Sequence, residues 1–154
     1  LWGFYDGTWY KAKEYHYDGR ARNRQKTDPE YLEDLKAFTA DIKHLLKGII
    51  VDPSAASFIT LLKQEQMKVV SAINEVVDRI RNVESALKKM MILYNDCCKE
   101  TFREYASYIW NEKAADRGVD EPVKQNDHQL DADRYFINTI LFNKREVRAV
   151  PSLY

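Results

Sequence analysis

The sequence predicts a mixed α/β fold, a sheet of mixed strand direction with helices packed on it. Three observations predict it. The chain opens with an aromatic pattern that reads as a hairpin, it holds short unbroken apolar runs of the kind buried in a sheet, and helical periodicity fills the stretches between them.

Leu1–Tyr5 and Thr8–Tyr17 are rich in aromatic residues, and Asp6-Gly7 between them is a two-residue turn signal, so residues 1–17 are expected to form a hairpin. Its aromatic side chains are expected in the core. Arg20, Arg22, Arg24 and Lys26 follow in a stretch without large apolar residues, expected as a loop. Asp28-Pro29-Glu30 is a helix start, and Leu32, Leu35, Phe38, Ile42 and Leu46 continue with helical spacing, so a helix is expected over 29–47, ended by Gly48. Ile49-Ile50-Val51 reads as a buried strand with Asp52 at its end. Pro53-Ser54 is expected to start a helix with Phe58, Leu61 and Leu62 inward. Met67–Ile73 reads as a strand, Glu75–Lys89 as a helix, Met90–Tyr94 as a strand and Cys97–Trp110 as a helix. Residues 111–125 are polar and expected as a loop. The last helix is expected from Asn126-Asp127 to about Phe142, leaving 143–154 as a tail.

Length and composition bound the function. The chain has 154 residues, 45% hydrophobic and 31% charged, the balance of a globular domain with a real core. No apolar run approaches the roughly 20 residues needed to cross a bilayer, so no membrane is expected as a partner. Formal net charge is zero. Phosphate neutralisation dominates affinity for nucleic acid, so a neutral chain binds DNA through a local patch, weakly, or with the help of attached domains. Cys97 and Cys98 are neighbours and cannot staple a fold, which points to a reducing compartment. The opening at Leu1, inside an apolar stretch, reads as a piece of a longer chain.

No G-x-x-x-x-G-K-[ST] is present to cradle a nucleoside triphosphate, and no G-x-S-x-G elbow. Asp52, an acid at the C-terminal end of a buried strand, points to where open α/β sheets bind ligands; its ordinary alternative is to cap the next helix. His128 and Asp131 are three residues apart and share a helix face with Tyr135. A carboxylate beside an imidazole can hold one divalent ion and suits manganese or magnesium; the ordinary alternative is a solvated face near a helix N-terminus. Asp127 is expected to cap that helix, and Asp133 to face elsewhere. Arg20, Arg22, Arg24 and Lys26 can line a DNA backbone groove or simply be solvated.

Three segments together carry a resemblance: WYKAKEYHYDGR at 9–20, VDPSAASFI at 51–59 and NDHQLDADRYF at 126–136. In order and spacing they resemble the C-terminal nuclease domain of phage terminase large subunits, closest to prophage and headful-packaging types of Gram-positive bacteria. The resemblance covers residues 1–142. It implies a ribonuclease H-like sheet flanked by helices, two Mg2+ or Mn2+ ions, and endonucleolytic cutting of concatemeric double-stranded DNA. It also implies the portal and the small terminase subunit as partners, and the cytoplasm of an infected or lysogenic host as the place of action. The family gathers one acid from a first strand, one from the end of a later strand, and a last pair from the C-terminal helix. Asp52 matches the second, and His128 and Asp131 match the last pair. The first acid would precede the LWGFYDG-like segment and has no counterpart here, since Asp6 sits in the hairpin turn; metal binding and cleavage by these residues alone are therefore expected to be weak. Asn74, Glu104, Tyr108 and Trp110 fall where similar residues are sought. A resolvase or integrase of the same fold, or a docking module without catalysis, are the alternatives.

Overall fold

The computed structural model describes residues 1–73, 79–107 and 127–143. In chain order the elements are β1 (Trp2–Tyr5), β2 (Thr8–Lys11), α1 (Asp28–Thr39) with a 3-10 turn (Ala40–Ile42), β3 (Ile49–Val51), α2 (Ala56–Gln64), β4 (Val69–Ser71), α3 (Arg79–Lys88), β5 (Ile92–Tyr94), α4 (Lys99–Ala106), and α5 (His128–Phe136) running into a π-helical stretch (Ile137–Leu141). The fold is mixed α/β, as the sequence predicts, and consistent with the ribonuclease H-like type. Its strands form two sheets, ordered β1-β2-β5 and β3-β4. The chain divides into two compact units, Leu1–His16 with Val83–Arg134 and Tyr17–Asn82 with Tyr135–Tyr154.

In the first unit β1 and β2 pair antiparallel and β5 adds parallel to β2. The hairpin closes where expected: Tyr5 faces Thr8, and Asp6 and Gly7 both take positive φ (44° and 78°), the backbone that a tight turn matched to strand twist requires. In register, Trp2, Lys11 and Tyr94 share one face of the sheet, and Gly3, Tyr10 and Leu93 share the other. The first face meets α4, where Tyr94 lies edge-on to Phe102 and Tyr105. The expectation that the hairpin aromatics are core holds for half-buried Trp2 and Trp9 but fails at Phe4 and Tyr5, which are 60% and 76% exposed. Those two end β1, the outer strand of the described sheet. The second strand stops at Lys11 instead of Tyr17, and Glu14 beyond it bonds to the start of α4.

In the second unit β3 and β4 pair in parallel. Leu32 of α1, Val51 of β3 and Leu62 of α2 form a buried apolar cluster, with Leu35, Phe58 and Ile59 packed against it. α1 starts as predicted, and the Glu30 carboxylate accepts from the Thr27 N–H (2.8 Å) and hydroxyl (3.0 Å). It ends earlier than predicted: the Thr39 hydroxyl bonds back to the Leu35 carbonyl, and the chain tightens into the 3-10 turn. Gly48 does not end a helix. A Cβ there would lie 3.2 Å from Val70 Cγ2, so glycine lets the backbone approach β4.

Two element boundaries move for one reason. Met90, expected in a strand, takes φ 52° just after α3, and the Met91 and Met90 N–H groups bond to the Ala86 and Leu87 carbonyls. Gln66 does the same after α2 at φ 59°, with Met67 bonded to Leu62. Both are left-handed helix caps occupied by non-glycine residues, which is why the apolar residues Met67 and Met90 read as strand. The helix expected from Glu75 is described only from Arg79, and the loop expected at 111–125 lies outside the described residues.

Candidate functional site

Asp52 follows β3 at the C-terminal end of the parallel pair. Its Oδ1 accepts the Ser54 N–H at 2.8 Å, a local turn that displaces the helix start from Pro53-Ser54 to Ala56. Its Oδ2 accepts the Tyr135 hydroxyl. The carboxylate is half-buried, with a donor on each of its two oxygens. Downstream of Tyr135, the buried Asn138 and Thr139 accept from Asn82 Nδ2 (2.6 Å) and the Ile73 N–H (3.0 Å). These bonds tie the π-helical stretch into the second unit.

In the first unit, α5 presents two chemically distinct faces. His128 is exposed, and Asp131 pairs with Arg134, whose guanidinium also lies 3.5 Å from Asp127 Oδ2. Asp127 thus pairs with a side chain. Gln129 and Asp133, four residues apart, face inward to Lys11 of β2. Lys11 is 2% exposed, and its Nζ donates to Asp133 Oδ1 (2.6 Å), Thr101 Oγ1 (2.7 Å) and Gln129 Oε1 (3.1 Å). Asp133 Oδ2 is buried with no hydrogen-bond partner among the described residues. Burial pushes the Asp133 carboxyl up to about 6, and Lys11 only partly opposes it.

Two more carboxylates complete this network, each at a helix N-terminus. Glu14 accepts the backbone N–H groups of Glu100 (2.6 Å) and Thr101 (3.0 Å) and the Thr101 hydroxyl (2.7 Å) at the start of α4. Glu104, itself buried, accepts the N–H groups of Gln129 (2.8 Å) and Leu130 (3.0 Å) at the start of α5. Helix N-termini leave donors without partners and favour negative charge. Glu104, marked by the sequence as a further acid of interest, is therefore occupied as a helix cap. Asn74, Tyr108 and Trp110 lie outside the described residues.

The predicted basic stretch is largely engaged. Arg24 pairs with Glu30 and Lys26 with Asp34. Arg22 and Lys26 lie 5.4 Å and 4.5 Å from the Tyr17 ring centre. Arg20 is exposed and meets no acid among the described residues. Arg24, Lys26, Pro29, Glu30, Glu33 and Asp34 line an open groove of about 410 Å³ whose charge is mixed. At the other thiol-bearing position, Cys97 is exposed and Cys98 buried, and burial pushes the Cys98 thiol up to about 11, the reverse of a reactive thiol.

The donor types of Asp52, His128 and Asp131 fit a hard divalent cation. Asp52 and Tyr135 belong to the second unit, His128 and Asp131 to the first. No group of three or more His, Cys, Asp or Glu side chains placed to hold a metal ion occurs among the described residues. Those residues do not by themselves make a complete metal centre. No helix among them is long and apolar enough to cross a membrane.

Solved structures of a phage large terminase match the chain closely. Over 92% of its length the chain is 72% identical to the large terminase of the thermophilic bacteriophage D6E, with a TM-score of 0.89, and it covers 36% of that chain. The same phage protein in complex with ADP gives 72% identity and a TM-score of 0.89, over 92% of this chain and 35% of that one. In complex with ATP-γ-S the values are 72% and 0.88, over 91% of this chain and 36% of that one. The chain thus spans little more than a third of the length of these relatives. No family model and no curated protein matches it.

Proposed function

We propose that this chain is the nuclease portion of a phage large terminase, a divalent-metal-dependent endonuclease that cuts concatemeric double-stranded DNA during packaging. The observation that carries the reading is the 72% identity sustained over 92% of the chain against the D6E large terminase. The sequence holds no G-x-x-x-x-G-K-[ST] motif, so the ADP and ATP-γ-S of the relatives are not carried over to this chain. The place of action would be the cytoplasm of the bacterial host, with DNA, portal and small terminase subunit as partners.

Asp52, His128 and Asp131 are the proposed ligands of Mg2+ or Mn2+, joined by at least one further oxygen donor. When bound, such an ion would activate a water for attack on the phosphodiester and stabilise the departing 3′ oxygen. Asp52 would act from a fixed orientation, because the Ser54 N–H and the Tyr135 hydroxyl each hold one of its two oxygens. Asp131 would have to exchange Arg134 for the ion. Arg20 and Arg22 are the residues of the basic stretch best placed to follow a DNA backbone, since Arg24 and Lys26 are paired with acids.

A manganese-dependent plasmid-nicking assay on the wild type and Asp52→Ala tests the reading. Nicking by the wild type that falls at least a hundredfold in the variant is expected. Equal nicking by both dismisses the proposed ligand set. Absence of nicking by either favours a second reading, a docking module of the packaging machine, for which zero net charge and the paired basic stretch speak.

A further inference from the structure

Lys11 is buried in the first unit, 2% exposed. Its ammonium reaches Thr101 on α4 and both Gln129 and Asp133 on α5. A buried ion pair is weak evidence for stability, because removing both charges from water costs as much as their attraction returns; its best-attested use is to select one arrangement over its neighbours. The partners of Lys11 show which arrangement is selected here. Gln129 and Asp133 are one turn apart, so bonding both to a single nitrogen sets the rotation of α5 about its own axis. Glu104, bonded to the first N–H groups of α5, sets its position along that axis. His128 and Asp131 extend from the same two turns on another face of the helix. A rotation by one residue, about 100° on an α-helix, would carry them away together.

We propose that Lys11 is a positioning residue for His128 and Asp131: by gripping Gln129 and Asp133 it fixes the rotation of α5 and so aims the histidine–aspartate pair. The cation-binding role of that pair rests on the function proposed above, whereas the fixing of α5 does not. Lys11 touches no reacting atom in this scheme, and apolar residues of similar volume in place of the ion pair would keep the unit folded while leaving the helix without a rotational lock.

The test uses the full 154-residue chain. Lys11→Met/Asp133→Leu replaces the pair with apolar side chains, and Lys11→Gln/Asp133→Asn serves as the polar version if the first fails to fold. Three quantities are read: melting temperature, amide and imidazole NMR shifts of His128 and Asp131, and affinity for Mn2+ alone by calorimetry. Expected are a melting temperature within a few degrees of wild type, displaced shifts at residues 128 and 131 with β1 and β5 undisturbed, and Mn2+ affinity down at least tenfold. Unchanged shifts at 128 and 131 in a stably folded variant overturn the proposal, as does recovery of both stability and affinity. His128→Ala/Asp131→Ala separates the two levels. If it leaves Mn2+ affinity unaltered while the Lys11 variants displace the helix, the metal reading falls and the fixing of α5 stands.

Discussion

The two units differ in where they bury charge: the described buried charges, Lys11, Glu104 and Asp133, all lie in the first. Around Leu32, Val51 and Leu62 the second unit buries an apolar cluster, whose strength is non-directional and grows with the area removed from water. The first unit buries Lys11, Glu104 and Asp133 along with Ile92, Cys98 and Leu130. Its order comes from bonds that each demand a direction. An apolar core tolerates changes of shape at modest cost, whereas a buried charge network holds one geometry and fails abruptly when one member is removed. The unit built around directional bonds is the one that carries His128 and Asp131, where side-chain aim matters most.

The largest effect should come from breaking that network at one point. Lys11→Met removes the cation that opposes burial at Asp133 and leaves Thr101, Gln129 and Asp133 without their shared donor, and unfolding by urea should show a loss of about 3–5 kcal/mol. A loss below about 1 kcal/mol would mean that water already reaches the site and that the two units are less different than described. Next in size is Leu62→Ala in the apolar cluster, where Leu62 is fully buried. There a loss of about 2–5 kcal/mol is expected, in the lower half of that range if neighbouring Phe58 and Ile59 close the cavity. The contrast sharpens if Leu62→Met costs little while the conservative Lys11→Arg still costs several kcal/mol.

A smaller effect concerns pH. The Asp133 carboxyl moves from an ordinary 3.8 to about 6 on folding, so between those values the folded chain binds the extra proton. Stability from this group is fully present below about pH 4 and declines as pH rises through about 6. Thermal melts from pH 4 to 7 should therefore show a downward component in the wild type that Asp133→Asn lacks. The smallest effect is chemical. With Cys97 exposed and Cys98 buried at a raised pKa, Ellman's reagent at pH 8 should find one thiol in the native chain and two after denaturation. Two fast native thiols would show that the interior of the first unit opens readily.

Much of the architecture was legible because it is written in short-range geometry. Asp6-Gly7 closes the hairpin through positive φ at two neighbouring residues, and Thr27 with Glu30 starts α1 through bonds three residues apart. Ile49–Val51 and the placement of Asp52 behind it need no more than an apolar run and its end. Less legible were the caps at Gln66 and Met90, where bonds back into the preceding helix close on non-glycine residues in a left-handed conformation that sequence ordinarily assigns to glycine. Lys11 did leave a faint signal, since strand alternation puts it on the same face as Trp9; a lysine there asks for a buried acid.

By itself, then, the sequence determined the α/β class, the order of elements and the candidates Asp52, His128 and Asp131, since periodicity, turn chemistry and spacing act between near neighbours. Only the tertiary structure decided which polar groups are buried and with whom. Lys11 meets Asp133 across 122 positions, Glu14 meets Thr101 across 87, and Glu104 meets Gln129 across 25. The physical reason is that a charge leaves water only where folding has already gathered its partners. That condition depends on segments distant in the chain and leaves almost no mark on the residues beside it.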